Sequence, residues 1–535
     1  MAAVATGRNL ASDPLWRRAQ MHLVRGEMGA AREVLATMRA SGDSFVASHL
    51  VAAQIAWRED RVRDGTRHAL DAAQTISEDP DDLCTIADVV LEVGETVAAR
   101  GCLDRVPLGA CDAPLLLMRL AVLRKKLGQH AEALALLDRA QVLGHDSPAL
   151  RFQRGEALMF NGRIEEAEAE LSASLAEAPA RGRVAVPLVR LRRQTADRNY
   201  LPALEAGARM ATPGTRDQAA FEFARYKTLE DLGRDDEAWQ ALARGNALMH
   251  ARLHDEVARH HAWIERYMSA WSSGALPRDP SSTPEGPLPI FIVGVARSGT
   301  TLLERMLGNH SRVAVAGELM DFGAQLHWAA DTRNAQSDAL VSRLPHLDYV
   351  ELGRRYLAQT RWRAQGRPFF IDKQPPNWLL VAAIHSALPQ ASILNLVRDP
   401  MDTCFSNWRA YFGDACAYSY NLDALAQYFS DYRRVMAHWH QAMPGAILDV
   451  PYADLVREPE ATLRKVFAFC DLEWEPDCMD LARNTAPSAT LSAAQVRSSL
   501  HGGAFREWRR YQMQLKALEA ALAAPGRITP SEADR

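Results

Sequence analysis

Short apolar runs alternate with longer amphipathic segments along the C-terminal half of the chain. Runs of strand length occupy Leu288 to Val293, Phe369 to Ile371, Ser392 to Val397 and Ala446 to Val450, and amphipathic stretches such as Leu422 to Gln441 lie between them. Strand and helix in this alternation predict a parallel sheet that is covered by helices on both faces. Ligands of such sheets bind at the carboxyl ends of the strands.

The N-terminal half carries a different pattern, in which small residues recur every 34 positions. One position of each period, which we call the slot, is usually glycine. A small residue follows the slot five positions later, and another small residue precedes it by seven positions. The slots are Gly26, Asp60, Gly94, Gly128 and Gly162, the followers are Ala31, Gly65, Ala99, Ala133 and Ala167, and the preceding residues are Ala19, Ala53, Ala87, Ala121 and Gly155. The grid then shifts by a residue or two and continues with Ala203, Gly233 and Ala238.

A 34-residue period with a turn glycine between two helical segments is typical of tetratricopeptide repeats. We count about seven repeats over residues 13–250. They predict an α-solenoid whose concave groove binds the acceptor or a protein partner. Residues 251–270 predict one more helix, in which Trp263, Tyr267 and Trp271 form a packing seam that caps the solenoid.

A stretch rich in Pro, Ser and Gly separates the two patterns and predicts a linker. The sequence therefore predicts four segments. These are a tetratricopeptide solenoid over residues 13–271, a linker over 272–287, a P-loop-like α/β domain with a parallel sheet over 288–520, and a flexible C-terminal tail over 521–535.

Composition adds little to this division. The 62 basic and 66 acidic residues give a net charge of −4, which offers no case for non-specific nucleic-acid binding. None of the seven cysteines forms a CxxC pair, so the sequence predicts reduced thiols and a cytoplasmic protein. The first residues lack the apolar core of a secretory signal, and no run approaches the ~18 apolar residues of a membrane span.

The first strand candidate runs into a glycine loop that predicts an anion site. Gly294 and Gly299 have the spacing of the nucleotide phosphate loop, and a helix follows them. Such a loop directs backbone N–H groups and the positive end of the helix dipole at one point. The Lys that normally follows is replaced by Thr300, whereas Arg297 lies inside the loop and suits an anion with several oxygens.

Three further polar groups follow predicted strands or the loop helix. Arg398 follows a strand and Ser406 lies about two helical turns later, so the two could clamp a second phosphate. Glu318 follows the loop helix and could accept a proton from a hydroxyl. Lys373 ends another strand and could stabilise charge on a leaving group.

Each of these groups also has an ordinary interpretation when it is taken alone. Arg398 could pair with Asp399 or Asp402, which fit the N-cap and the third position of the helix that follows. Glu318 and Lys373 could be solvated surface residues. The combination of the groups carries the functional hypothesis.

Five stretches together resemble the sulfotransferases that use 3′-phosphoadenosine 5′-phosphosulfate as co-substrate. The resemblance is to the bacterial tetratricopeptide-repeat sulfotransferases and to tyrosylprotein sulfotransferase, and it covers about residues 288–512. The stretches are PIFIVGVARSGTTLLERMLGNHSRVAVAGEL, DKQPPNW, LVRDPMDTCFSNW, SAAQVR and REWRRY.

The resemblance implies a role for each matching residue. It implies that the 5′-phosphosulfate is held by Arg297, Ser298, Gly299, Thr300 and Thr301, and the 3′-phosphate by Arg398 and Ser406. It implies that Glu318 is the catalytic base, that Lys373 and Ser492 stabilise the transition state, and that no metal takes part. Further nucleotide contacts are implied for Tyr452, Gln495 and Arg497.

One residue of the final motif departs from the family pattern. Glu507 stands where a basic residue usually precedes the tryptophan, and Arg506 or Arg510 could replace its contact with the 3′-phosphate. The expected function is sulfuryl transfer to a hydroxyl of a peptide, glycan, lipid or small molecule. The alternatives are a P-loop kinase or NTPase, which the missing Lys disfavours, and an inert scaffold, which Glu507 favours.

Overall fold

A computed structural model describes residues 9–41, 45–75, 77–107, 111–272, 286–334, 337–481, 483 and 506–523. Helices make up the first part of the chain after a short 3-10 helix at Leu10–Ser12. They are α1 Pro14–Arg25, α2 Met28–Ser41, α3 Phe45–Arg58, α4 Val62–Ala73, α5 Pro80–Glu92, α6 Thr96–Asp104, α7 Pro114–Lys126, α8 His130–Val142, α9 Pro148–Phe160, α10 Ile164–Glu177, α11 Gly182–Arg190, α12 Leu201–Met210, α13 Arg216–Asp231 and α14 Asp235–Ser272.

Consecutive helices pair into hairpins, and the 34-residue grid explains how they do so. Every slot residue lies in the turn between the two helices of a hairpin with a left-handed backbone, at φ values of 74° for Gly26, 61° for Asp60, 82° for Gly94, 79° for Gly128 and 80° for Gly162. Glycine adopts this conformation without a steric penalty. The preceding alanines and the alanine followers are buried where helices approach each other. The predicted helical-repeat part of the fold is confirmed.

The grid fails after Gly162 in one respect. Ala203 is exposed, so it does not hold the position that the shifted grid assigned to it. Gly207 makes the close approach instead, because a Cβ atom there would lie 2.4 Å from the Phe221 ring. Gly233 does continue the turn series, with a φ of 72°.

The predicted helix over residues 251–270 is part of the much longer α14. Its aromatic residues do not cap the solenoid. The rings of Tyr267 and Trp271 lie 6.3 Å and 6.0 Å from the ring of Trp439, which belongs to the second part of the chain. The seam therefore joins the two parts.

The second part is a five-stranded parallel sheet with helices between the strands. The strand order is β2-β3-β1-β4-β5, with β1 in the centre. The strands are β1 Leu288–Gly294, β2 Val313–Val315, β3 Phe369–Asp372, β4 Ser392–Val397 and β5 Ile447–Pro451. The helices are α15 Thr300–Leu307, α16 Asp321–Ala330, α17 Asp338–Arg343, α18 Tyr349–Thr360, α19 Val381–Ala387, α20 Pro400–Trp408, α21 Leu422–Ala442, α22 Tyr452–Arg457, α23 Pro459–Phe469 and α24 Lys516–Ala523.

The predicted fold class is thus confirmed, because both faces of this sheet are covered. Phe291 and Val293 of β1 point into a core that is continuous with the core of the solenoid. Ile290 and Ile292 alternate with them and pack against α15, α22 and α23 on the other face. The three-residue β2 was not predicted. Within the described residues, none of the helices combines the length and the apolar character needed to cross a membrane.

The solenoid contacts the sheet domain through its turn edge, which we define as the turns between the two helices of each hairpin. Asp60 Oδ1 accepts a hydrogen bond from the backbone N of Arg333 at 2.6 Å. The carbonyl of Gly94 accepts from Gln325 at 2.9 Å, and that of Leu127 accepts from Arg363 at 2.6 Å. The left-handed turns therefore also form the surface on which the sheet domain rests.

One predicted boundary was wrong at the C-terminal end. The flexible tail was expected to begin at residue 521, but α24 continues to Ala523 and its Leu522 is buried. Residues 524–535 and most of the predicted linker, residues 273–285, lie outside the described residues. The division into independent domains stays a prediction.

We expect Arg355→Ala to destabilise the protein by about 3 kcal/mol, because it leaves a buried carboxylate without its cation. Arg355 forms an ion pair with Glu95 across the interface, and Glu95 is only 4% exposed. Burial raises the pKa of Glu95, and Arg355 opposes this effect. The drop in melting temperature measures the loss.

The neighbouring Arg354→Ala is the matched control. Arg354 is exposed and pairs with Glu351 on its own helix, so its removal should cost about 0.5 kcal/mol or less. Equal melting temperatures for the two variants would contradict a stabilising role for the interface pair.

Candidate active site

The loop between β1 and α15 has the backbone of an anion cradle. Gly294, Arg297 and Gly299 all have positive φ, at 146°, 67° and 110°. This conformation is uncommon for a residue with a Cβ atom, and strained residues of this kind occur at binding sites. The loop leads directly into the N-terminus of α15, where the backbone N–H groups of the first turn favour an anion.

The side chains of the loop also fit an anionic group. Ser298, Thr300 and Thr301 are buried, and Ser298 Oγ has no hydrogen-bond partner among the described residues. A Cβ atom on Gly299 would lie 2.3 Å from the ring of Tyr452, so only glycine permits this approach. The residues present therefore fit a phosphate or phosphosulfate group with several oxygens.

The second predicted anion pocket adjoins the first. Asp399 caps α20 by accepting from the backbone N of Asp402 at 2.9 Å, as the sequence predicts. Arg297 Nε donates to Ser406 Oγ at 3.3 Å, and Arg398 Nη1 donates to the carbonyl of Arg297 at 3.3 Å. The two arginines and the serine, which are up to 109 positions apart in the chain, thus meet at one place.

Tyr452 lies at the same edge of the sheet, because it follows β5 directly. The guanidinium of Arg398 lies over its ring at 4.5 Å from the centroid. This cation–π contact and the packing of Tyr452 on Gly299 fix the position of Arg398 relative to the loop.

The third group lies at the end of β3. Lys373 is fully buried and its Nζ forms an ion pair with Glu318 Oε1, while Glu304 Oε2 of α15 lies 3.7 Å away. Glu318 is 44% exposed at its side chain, so it faces both the lysine and solvent. Burial raises the pKa of Glu304, and the charge of Lys373 opposes this. The buried cation is therefore held between two carboxyl groups.

Positive charge accumulates on the other side of the loop. Burial lowers the pKa of Arg297 to about 9, and the charges of Arg190, Arg409 and Arg398 lower it further in that order. Glu507 opposes them and forms an ion pair with Arg409. A group of guanidinium charges that act on one another favours the binding of an anion.

Glu507, which stands where a basic residue is usual, forms an ion pair with Arg409. Its partner Arg409 lies at the C-terminal end of α20, and Glu230 of the solenoid lies 3.8 Å from the same arginine. Arg510, a candidate replacement for the missing basic residue, pairs instead with Asp235 of the solenoid at 3.4 Å. Ser492, Gln495 and Arg497 lie outside the described residues, and their roles stay predictions.

Sequence reasoning missed three charged residues at the site. Arg409 lies three positions after Ser406, which was a usable signal. Glu304 lies one helical turn after the start of α15. Because the sequence predicts this helix directly after the glycine loop, it could also have shown that Glu304 lies near the loop. Arg190 belongs to the solenoid, and no local pattern connects it to the loop.

These elements define a P-loop-like fold whose strand ends bring together Arg297, Arg398 and Ser406 and carry a lysine–glutamate pair. Residues 289–476 match the model of the sulfotransferase family. This stretch of the α/β part is therefore similar to that family.

The chain is also similar to individual proteins. An uncharacterized protein of Aquifex aeolicus is 28% identical over 308 residues, which cover 56% of this chain and 40% of that protein. A putative protein-tyrosine sulfotransferase of Caenorhabditis briggsae is 23% identical over 236 residues, which cover 41% of this chain and 80% of that protein. The sulfotransferase domain of the Synechococcus PCC 7002 olefin synthase is a similar solved structure, with 19% identity, a TM-score of 0.33, and coverage of 48% of this chain and 99% of that domain.

One more carboxyl group lies at these strand ends, at the last residue of β3. Asp372 is fully buried and accepts a hydrogen bond from the hydroxyl of Tyr356 at 2.8 Å. Burial raises the pKa of Asp372 to about 8. Burial therefore favours the protonated form of this acid.

We expect Asp372→Asn to stabilise the folded protein relative to the wild type, and we expect this stabilisation to grow with pH. A raised pKa in the folded state means that the protonated acid is compatible with the fold, and that stability is lost as the pH rises from about 4 to about 8. Asparagine keeps an acceptor for Tyr356 and carries no charge. The melting temperature of the variant relative to the wild type should therefore rise by several degrees between about pH 5 and about pH 9.

Asp423→Asn is the control, because Asp423 is exposed in the first turn of α21 and its effect should be the same at both pH values. If the difference in melting temperature between Asp372→Asn and the wild type were also the same at both pH values, the carboxyl group of Asp372 would not titrate in this pH range.

Proposed function

We propose that the protein is a sulfotransferase that moves the sulfuryl group of 3′-phosphoadenosine 5′-phosphosulfate to an acceptor hydroxyl. The observation that carries the proposal is the meeting of Arg297 with Arg398 and Ser406 at the ends of adjacent strands. Two adjoining cationic pockets suit a nucleotide that has anionic groups at two separate positions. A nucleotide with phosphates only on its 5′ side would use one pocket.

The proposed donor fits the loop and α20 as follows. The 5′-phosphosulfate binds to the backbone N–H groups and side chains of Arg297 to Thr301 at the start of α15. The 3′-phosphate binds to Arg398 and Ser406, and Tyr452 holds Arg398 in position through its ring. Ser298 Oγ, which has no partner among the described residues, gains one in the complex.

The proposed reaction is a direct in-line displacement. Glu318 accepts the proton of the acceptor hydroxyl, whose oxygen forms a bond to sulfur while the bond from sulfur to the bridging phosphate oxygen breaks. Both electrons of the broken bond leave with 3′-phosphoadenosine 5′-phosphate. Arg297 and Lys373 stabilise the negative charge that develops on the bridging oxygen.

The ion pair between the buried Lys373 and the partly exposed Glu318 suits both of these roles. Glu304 provides a second carboxyl group for Lys373, so the lysine keeps a partner when it turns towards the donor. The arginines and the lysine supply the positive charge that Mg²⁺ supplies in kinases, so the proposal requires no metal.

The acceptor is proposed only as a hydroxyl group. A relative named as a putative protein-tyrosine sulfotransferase supports a peptide hydroxyl, and a glycan, a lipid or a small molecule offers the same group. The aligned region covers 40% of the Aquifex aeolicus relative, so the role of the whole chain rests on the site itself. We propose that the solenoid binds the acceptor or a partner, and that the protein acts in the cytoplasm.

Calorimetric titration of the full chain with two nucleotides tests the proposal. We expect 3′-phosphoadenosine 5′-phosphate to bind and ATP with Mg²⁺ to bind weakly or not at all, because only the first ligand occupies both pockets. Binding of ATP alone would favour a kinase or NTPase. Binding of neither nucleotide would favour a scaffold.

We expect Glu318→Gln to reduce turnover by about 10²- to 10⁴-fold, because the amide cannot accept the proton. The affinity for 3′-phosphoadenosine 5′-phosphate should be retained. The measurement is the transfer of radiolabel from the sulfate donor to components of a cell extract, together with calorimetry of the product nucleotide.

Glu460→Gln provides the control, because Glu460 is exposed and pairs only with Arg464 among the described residues. Its turnover should equal that of the wild type. Full activity of Glu318→Gln would remove Glu318 as the base.

A further inference from the structure

Two histidines and an aspartate converge between the helices of the second hairpin of the solenoid. His49 lies on α3, and His68 and Asp71 lie about one helical turn apart on α4. The Nδ1 atoms of the two histidines are 3.3 Å apart. Asp71 Oδ2 lies 3.4 Å from Nδ1 of His49 and 4.0 Å from Nδ1 of His68. Three atoms that can each offer a lone pair therefore face one another.

The spacing of these atoms fits a transition-metal ion. Zn²⁺ binds imidazole nitrogen and carboxylate oxygen at about 2.0–2.2 Å, so the ligand atoms of a tetrahedral site lie about 3.3 to 3.5 Å apart. Two of the three separations have this length. The third, between Asp71 Oδ2 and Nδ1 of His68, is 4.0 Å, and a small rotation of the carboxylate group would shorten it.

A hydrogen bond between the two rings explains only one of the three contacts. In that arrangement one Nδ1 donates to the other, whereas a cation attracts all three atoms at once. Burial lowers the pKa of both histidines, and the charges of Arg39 and Arg67 act in the same direction, while Asp71 opposes them. Both rings are therefore neutral at neutral pH, which is the form of imidazole that binds a metal.

The three side chains are accessible to an ion from solvent. The side chains of His49, His68 and Asp71 are 21%, 20% and 39% exposed. In the part of the chain that the structure describes, neither an arginine nor a lysine forms an ion pair with Asp71. The ring of Phe45 packs against the ring of His49 at a centroid distance of 4.4 Å and restricts its orientation. Three protein ligands leave the fourth position of a tetrahedral site to water.

A second group of histidine and carboxylates among the described residues is less suitable for a metal. His261 Nδ1 lies 2.9 Å from Asp431 Oδ2, and Glu265 lies near both residues. Arg434 forms an ion pair with Glu265 and lies 3.6 Å from Asp431. Because a guanidinium group already neutralises these carboxylates, a metal ion would have to displace it.

We propose that His49, His68 and Asp71 bind a divalent transition-metal ion such as Zn²⁺, which links the two helices of their hairpin. His49 and Asp71 are each eleven positions from Asp60, whose side chain contacts the sheet domain. Eleven helical residues span about 16 Å, so the site lies at the far end of the hairpin from that contact. The ion therefore takes no part in the proposed transfer reaction, and this inference does not rest on the proposed function.

Calorimetric titration of the full-length protein with Zn²⁺, after removal of bound metal with a chelator, tests the inference. Loss of an outer-shell partner lowers metal affinity by about 10- to 100-fold, so loss of a direct ligand in His68→Gln should lower it by about 100-fold or more. Asp71→Asn keeps the shape of the side chain but removes its charge, and it should weaken Zn²⁺ binding by about 10-fold or more.

The melting temperature provides a second measurement. Zn²⁺ at about 100 times its dissociation constant should raise the melting temperature of the wild type by about 2 to 3 °C, because the ion binds the folded hairpin. Asp71→Asn should lose this increase. His261→Gln, in the second group, is the matched control and should keep both the affinity for Zn²⁺ and the increase in melting temperature.

Three outcomes would overturn the inference. The first is a wild type that does not bind Zn²⁺, in which case the hydrogen bond between His49 and His68 is the whole of their contact. The second is equal Zn²⁺ affinity of the wild type, His68→Gln and Asp71→Asn. The third is loss of binding in His261→Gln, which would assign the ion to the second group. None of these measurements uses a nucleotide, so failure of the proposed function would leave this inference standing.

Discussion

Repulsion between guanidinium groups is the constraint on which the site depends. The charges of Arg190, Arg409 and Arg398 lower the pKa of Arg297, and Arg409 lies close to the carboxylates of Glu507 and Glu230. Such a cluster is unfavourable by itself and becomes favourable around a ligand that carries several negative charges. The left-handed backbone of Arg297 and the contact of Tyr452 with Gly299 hold the cluster in place. Contacts within the chain thus hold the loop and Arg398 in a fixed arrangement.

The packing of the two parts of the chain explains how this arrangement is maintained. The turn edge accepts hydrogen bonds from Gln325 of α16 and Gln359 of α18. The aromatic seam of α14 packs against Trp439 of α21. The two parts share one continuous hydrophobic core. Because the interface includes this shared apolar core, the solenoid supports the sheet domain structurally. It is also a candidate binding surface.

Local signals in the sequence predicted most of the fold and part of the site. Glycines at left-handed turns, the Asp399 cap and apolar runs of strand length all act within a few residues, so their patterns are visible in one chain. The three-residue β2 carries too little periodicity to detect, and the length of α14 was hidden because the repeat was assumed to end before it. Arg409 and Glu304 lie near residues that the sequence singles out, but their contacts with Glu230 and Lys373 depend on long-range packing. No local pattern connects Arg190 to the loop.

The central claim is that one nucleotide bridges the loop after β1 and the start of α20. A crystal structure of the protein with 3′-phosphoadenosine 5′-phosphate bound tests it most directly. The account predicts the 5′-phosphate on the backbone N–H groups of residues 297–301, and the 3′-phosphate in contact with Arg398 and Ser406. A nucleotide bound elsewhere, or bound with its 3′-phosphate in solvent, would contradict the account.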